Sequence, residues 1–256
     1  MSTLLSEKSI RSFFFYKTSS HKGSSKSKEL VVIIHGFLGN ALSMEKMAEL
    51  LRERHGYSVA RVDISTLITT TEKMEKEIRK QLESLNLKEY DKVHFFGFSF
   101  GGIIARAIAS WEPIPNLGNI VTAGSPFGGS KFLNDLRLIT PFIEKLFIVK
   151  NFDHLIEASK LRPLELSSKI GLIAGKKPYR RVEELVSGSI ADLKRRQKIL
   201  RGSVNDGTVS VDEAHGLSEG EKLVVTLNHA ELSRSPTIAK LANRFFKTGT
   251  FLKNPK

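Results

Sequence analysis

The sequence predicts an α/β fold: a mostly parallel central sheet flanked by helices, with one helical insertion. Three observations lead there. Short apolar, β-prone runs alternate with amphipathic helical segments from Leu30 to Phe246, the rhythm of strands joined by right-handed crossovers. The run Leu30–Ile34 is apolar at every position, as a strand buried on both faces requires. The stretch Gly97-Phe98-Ser99-Phe100-Gly101-Gly102 follows an apolar run and opens an Ala-rich segment, so it marks a sharp strand-to-helix turn.

Each element has its own signal. Phe13-Phe14-Phe15-Tyr16, within Ser9–Lys17, predicts an early strand, and His21–Lys28 (HKGSSKSK) a polar loop. Met44, Met47, Leu50 and Leu51 fall on one face of a helix over Ala41–Arg54, and His55 stands beside Gly56, where a cation suits the helix dipole. Tyr57–Ile64 reads as a strand, and Thr71–Leu85 as a charged helix with Met74, Ile78, Leu82 and Leu85 inward. Asn119–Ala123 is the next strand. The rhythm then breaks. Lys131–Leu166 is apolar and helical in pattern, split by Pro141 and closed by Pro163. It is read as a helical cap (131–166) over the C-terminal edge of the sheet, within a single domain spanning 1–256. Strands are expected again at Lys169–Ala174 and Lys222–Leu227, with helices over Ile190–Leu200 and Pro236–Phe246.

Composition narrows the partners. A chain of 256 residues suffices for one α/β domain with an insertion. It has no cysteine, which excludes disulfides and thiolate metal sites. The formal net charge of +13 favours anionic surfaces. The cations are scattered, denser only at Lys17–Lys28 and Lys194–Arg201, with no zinc spacing or RNA-binding motif. The expectation is weak attraction to an anionic membrane surface and no nucleic acid. The N-terminus lacks the apolar core of a signal peptide, and no apolar run reaches the roughly 18 residues of a spanning helix. The chain is therefore expected in the cytoplasm.

The turn at Ser99 carries the chemistry. A serine hydroxyl is a weak nucleophile until a base takes its proton. A tight turn pushes the side chain out of the sheet, and small neighbours make room for it. The base needs a carboxylate to orient it. Chain order offers Asp206, in the turn-rich loop Ser203–Val209, and His229, directly after the last strand. Both fall at the C-terminal edge of the sheet, where ligands of open α/β sheets bind. His21, His35, His55, His94, His154 and His215 compete as bases; Asp212, Asp153 and Glu213 compete as acids; Asp63 follows too early a strand. The two oxyanion donors are assigned to the amides of Phe100, next to the nucleophile, and Phe37, in the turn after Leu30–Ile34.

Together these pieces resemble an α/β-hydrolase of the lipase and carboxylesterase type. The matching residues are His35-Gly36-Phe37, Gly97–Gly102, Gly124-Ser125-Pro126-Phe127-Gly128-Gly129-Ser130, Asn205-Asp206-Gly207 and Asn228-His229. The third of these resembles the Thr-Pro-His-x-Gly-Ser loop of lipases but has Ser125 for Thr and Phe127 for His. The resemblance implies hydrolysis of a small-molecule or lipid ester through an acyl-enzyme, with no metal or cofactor. The apolar insertion points to an apolar acyl group. An acyltransferase would need the same three residues. A lipid- or membrane-binding protein would leave them idle.

Overall fold

The computed structural model describes residues 19–21, 28–64, 70–111, 114, 116–139, 156–157, 169–181, 183, 185 and 189–252. Its organising strand is β2 (Glu29–Ile34). Leu30, Val32 and Ile34 enter the core on one side of the sheet; Val31 and Ile33 enter the core on the other. A run that is apolar at every position is thus explained by two buried faces.

One sheet runs through the described chain. Edge strand β1 (Ser19–His21) precedes β2, and β3 (Ser58–Val62), β4 (Lys92–Phe98), β5 (Leu117–Ala123), β6 (Ile170–Gly175) and β7 (Glu221–Val225) follow. Their spatial order is β1-β3-β2-β4-β5-β6-β7, with every pairing parallel except β1 with β3. The parallel strands carry their C-terminal ends to one edge of the sheet.

Helices cover the two faces. They are α1 (Glu45–His55), preceded by a 3-10 turn at Ala41–Met44, α2 (Thr71–Ser84), α3 (Phe100–Trp111), α4 (Lys131–Ile139), α5 (Ile190–Ile199), two four-residue helices α6 (Val211–Ala214) and α7 (His229–Leu232), and α8 (Pro236–Thr248). The 3-10 turn splits the expected first helix because Asn40 caps its start, accepting from the Ser43 amide at 3.0 Å. In α3, the side chain of Arg106 is wholly buried; its guanidinium donates to Glu219 Oε1 and Ser110 Oγ, both at 2.6 Å.

Some expectations change. His21 belongs to β1 rather than to a loop: its antiparallel pairing with Val59 satisfies backbone groups along the outer edge of β3 without any apolar pattern. The strand expected at Ser9–Lys17 lies outside the described residues. Of the insertion at 131–166, α4 and residues 156–157 are described; Ile156 is buried in the core. His55 does close α1 beside Gly56, which is left-handed at φ 79. Its pKa is lowered, by burial first and then by Lys247 and Arg54.

His94 is the core histidine of β4. It is fully buried, stacks on Phe246 at 4.7 Å and accepts the Asn119 amide on Nδ1 at 2.9 Å. Burial, aided by Lys92, pushes its pKa down to about 4. The folded value lies below the unfolded 6.5, so the unfolded chain takes up the proton first as pH falls. Stability contributed by the neutral ring is present above pH 6.5 and is lost on the way down to 4, by at most about 3 kcal/mol. His94→Gln should flatten urea stability between those pH values relative to the parent. Equal slopes in both proteins would remove His94 as the source.

Candidate active site

Ser99 sits between β4 and α3 with φ 53, a left-handed conformation that costs an L-residue roughly 1–2 kcal/mol. The surroundings hold it there. Its amide donates to Ala123 O at 2.8 Å, and its carbonyl accepts from Gly102 at 3.0 Å. The start of α3 passes so close to β2 that a side chain at Gly101 would stand 2.3 Å from the Ile34 carbonyl oxygen. Half-buried Ser99 therefore projects from the elbow between two pinned backbones.

The Ser203–Val209 loop brings its acid to the same edge. An Asx turn, with Asn205 Oδ1 accepting the Gly207 amide at 2.9 Å, bends the chain around Asp206. Asp206 Oδ1 accepts the amides of Thr208 and Val209 at 2.9 and 2.8 Å. Its other oxygen, Oδ2, lies 2.7 Å from His229 Nδ1. The carboxylate plane is thus fixed from both sides, deep in the protein.

His229 is the first residue of α7. Asn228 caps that helix by a reciprocal bond pair with Glu231, and the His229 amide donates to the Asp206 carbonyl at 2.9 Å. Backbone and side chain of Asp206 therefore both hold His229. With Nδ1 donating to the carboxylate, Nε2 is left as the basic nitrogen. The imidazole packs against the ring of Phe98, the residue before Ser99, at 4.9 Å. Phe98 thus links the acid–base pair to the elbow.

Phe100 opens α3, directly after Ser99. Phe37 lies in a tight turn closed by the Gly39 amide on Gly36 O at 3.1 Å, with Leu38 at φ 58. A side chain at Gly36 would stand 3.0 Å from Ser99 Cβ, so this turn lies against the elbow. The segments carrying Ser99, Phe100, Phe37, Asp206 and His229 all come to the C-terminal edge of the sheet.

The competing residues have other partners. His35 is buried, accepts the Ile64 amide on Nε2 at 3.0 Å and places Nδ1 2.8 Å from Gly36 O. Asp63 Oδ1 is 3.2 Å from the same Nε2, but a nitrogen accepting the Ile64 amide does not also donate there, so we read this as proximity rather than an ion pair. Glu213 accepts from Ser210 and from the Lys131 amide. His215 follows α6, with its pKa lowered mainly by burial. Asp153 and His154 lie outside the described residues. Phe127, where the resembling loop carries His, is buried in the core. Among the described residues, no group of three or more potential metal ligands is assembled. Sequence reasoning passed over Tyr179, a lone aromatic in the polar stretch after β6, whose hydroxyl accepts the Ala230 amide of α7 at 3.0 Å.

Residues 30–161, just over half of the chain, match the family model described as palmitoyl protein thioesterase. The chain belongs to that family. The match includes the Gly36 turn and Ser99 but ends before Asp206 and His229, so the pairing of the last two rests on geometry. Over 111 residues this palmitoyl protein thioesterase family member is 28% identical to the lysosomal thioesterase PPT2-B of Xenopus laevis; the aligned part is 41% of this chain and 38% of that protein. The chain thus matches well under two thirds of that relative's length. Among solved structures, the mature lipase BlEst2 of Bacillus licheniformis superposes with a TM-score of 0.67 at 18% identity, covering 88% of this chain and 97% of that one. The metagenomic carboxyl esterase MGS0156 gives 0.61 at 17% identity, covering 89% and 78%. These likenesses establish the α/β-hydrolase fold.

The strain at Ser99 is measurable. Ser99→Gly and Ser99→Ala both remove the hydroxyl, but only Gly removes the Cβ that the left-handed backbone resists. The Gly variant should be more stable than the Ala variant by about 1 kcal/mol in urea unfolding. An Ala variant as stable as the Gly variant would mean that the elbow is relaxed.

Proposed function

We propose that the protein is a serine hydrolase that cleaves acyl esters and thioesters through an acyl-enzyme. Ser99 is the nucleophile, His229 the general base and acid, and Asp206 the group that orients the imidazole. The observation that carries the reading is the 2.7 Å Asp206–His229 bond, set beside a strained, half-buried serine.

The steps follow from the atoms. His229 Nε2 takes the Ser99 hydroxyl proton as Oγ attacks the acyl carbonyl. The amides of Phe100 and Phe37 receive the oxyanion, where each donor is worth on the order of 10²–10³ in rate. Collapse breaks the bond to the leaving group, which takes the proton from His229. A water, deprotonated by the same Nε2, then releases the acid and restores Ser99. Asp206 stays ionised and keeps Nδ1–H pointed at itself.

The family match favours a thioester over an oxygen ester as substrate. The apolar sequence of the insertion motivates an apolar acyl group. The net charge of +13 supports weak association with an anionic membrane surface. A hydrolase is preferred to a lipid-binding protein because binding alone would not call for an oriented base beside Ser99. Transfer of the acyl group to an alcohol or amine would use the same residues.

The test is a chain-length series of acyl thioesters and matched alkyl oxygen esters, with parent, Ser99→Ala and Asp206→Asn side by side. Activity should vanish in Ser99→Ala and fall roughly 10³–10⁴-fold in Asp206→Asn. Thioesters should be turned over faster than esters of the same chain. Activity that survives Ser99→Ala would defeat the assignment; preference for an added alcohol over water would make the protein a transferase.

A further inference from the structure

The His229–Leu232 helix is a single turn, too short to be stable alone, so its placement must come from outside. Its leading amides each have a partner. His229 N–H goes to the Asp206 carbonyl, Glu231 N–H to Asn228 Oδ1, and Ala230 N–H to the Tyr179 hydroxyl at 3.0 Å. Two of these three acceptors are neighbours of His229 in the site. Tyr179 comes from 51 residues earlier, just beyond β6.

The ring of the same residue reaches the Asp206 loop, where the Thr208 amide donates to Asp206 Oδ1 at 2.9 Å. Thr208 Oγ1 in turn accepts from Arg196 of α5 at 2.8 Å. Tyr179 thus bridges two segments: its hydroxyl accepts the Ala230 amide of α7, and its ring packs on Gly207, the residue after Asp206. The Tyr179 ring lies against Gly207, where any side chain would stand 2.3 Å from it. This contact, with φ +96, accounts for glycine after Asp206.

We propose that Tyr179 is a positioning residue whose hydroxyl holds the His229 helix while its ring packs on the Asp206 loop, and that it so keeps the acid–base pair in register for proton transfer. The inference rests on the proposed role of that pair. The charged groups around it are Asp206 itself, Arg196 reaching in through Thr208, and the Lys177–Glu231 ion pair at 2.9 Å on α7. Burial, and then the charge of Asp206, raises the Tyr179 pKa to about 12, so the hydroxyl keeps its proton across the working range.

The ring has a second duty that governs the choice of variant. A cavity of about 280 Å³ lies beside it, lined also by Arg180, Arg196, Leu200 and Arg201. Truncating the ring would join that cavity to the acid. Tyr179→Phe keeps the wall and removes only the hydroxyl.

Two readouts decide the matter. The first is the low-field Nδ1 proton of His229 by proton NMR, which needs no turnover. It should be sharp in the parent and broadened by faster exchange in Tyr179→Phe. The second is the pH profile of kcat/KM on whichever thioester or ester the parent cleaves. Tyr179→Phe should lose about tenfold in kcat with little change in KM, and its acid limb should move to lower pH, because a loosened Asp206 stabilises the imidazolium less. A resonance and a profile unchanged in Tyr179→Phe, even with a lowered melting temperature, would overturn the proposal and leave Tyr179 a packing residue. If the parent cleaves no acyl substrate, the proposed function fails, and the proton resonance still decides whether Tyr179 holds the pair.

Discussion

Everything at the edge of the sheet depends on one close approach: the backbone at the start of α3 against the carbonyl end of β2. At Gly101 no side chain fits between them. That contact drives the chain from strand into helix without a connecting loop and forces Ser99 to φ 53. A relaxed turn would need more residues and would carry the hydroxyl away from the sheet. The core on both faces of β2 supports the strain, because shifting α3 outward would open a gap among Ile34, Ile103 and Ile104. Burial far from the chemistry thus stabilises a conformation that the elbow would not hold by itself.

The Asp206–His229 pair follows a different plan. Asp206 and His229 stand on a loop and a one-turn helix, not on strands, and loops are less precise platforms. Here precision comes from saturating hydrogen bonds. Both carboxylate oxygens of Asp206 are engaged, its carbonyl holds the His229 amide, and α7 has its leading amides satisfied. Arg196 extends the system to α5, where it is paired with Asp192 and lies over Phe132 of α4 at 4.1 Å. The first described helix of the insertion is therefore mechanically continuous with the acid loop.

The parts of this architecture legible in sequence are those with a periodic or local cause. Leu30–Ile34, the α2 stripe of Met74, Ile78 and Leu82, and the glycine-framed elbow each follow from burial or sterics within a few residues. Chain order at strand ends puts Asp206 and His229 forward; only the geometry pairs them, at 2.7 Å. Other features had no local cause. β1 forms in a polar stretch because β3 has an edge to pair. His55 is governed first by burial and then by Lys247, which lies far along the chain. Tyr179 acts through partners beyond the reach of any short motif, in a stretch whose pattern suggests only a basic loop.

The chemistry of the leaving group explains why these two plans can coexist. An alkyl thiol ionises near pH 8.5, so a thiolate departs from the tetrahedral intermediate with little help from an acid. An alkoxide, far more basic, leaves only as it is protonated. On the proposed reading, a thioesterase asks most of the step that forms the intermediate, where the Ser99 proton must reach His229 and the oxyanion must meet its amides. That step depends on the elbow and on the direction of the imidazole. Both are rigidly determined here, by backbone contact at Gly101 and by the hydrogen bonds around Asp206 and His229. An enzyme specialised for oxygen esters would depend as heavily on where His229 points once protonated. Loosening those hydrogen bonds should therefore cost this protein more on oxygen esters than on thioesters, which ties the positioning of His229 to substrate preference as well as to rate.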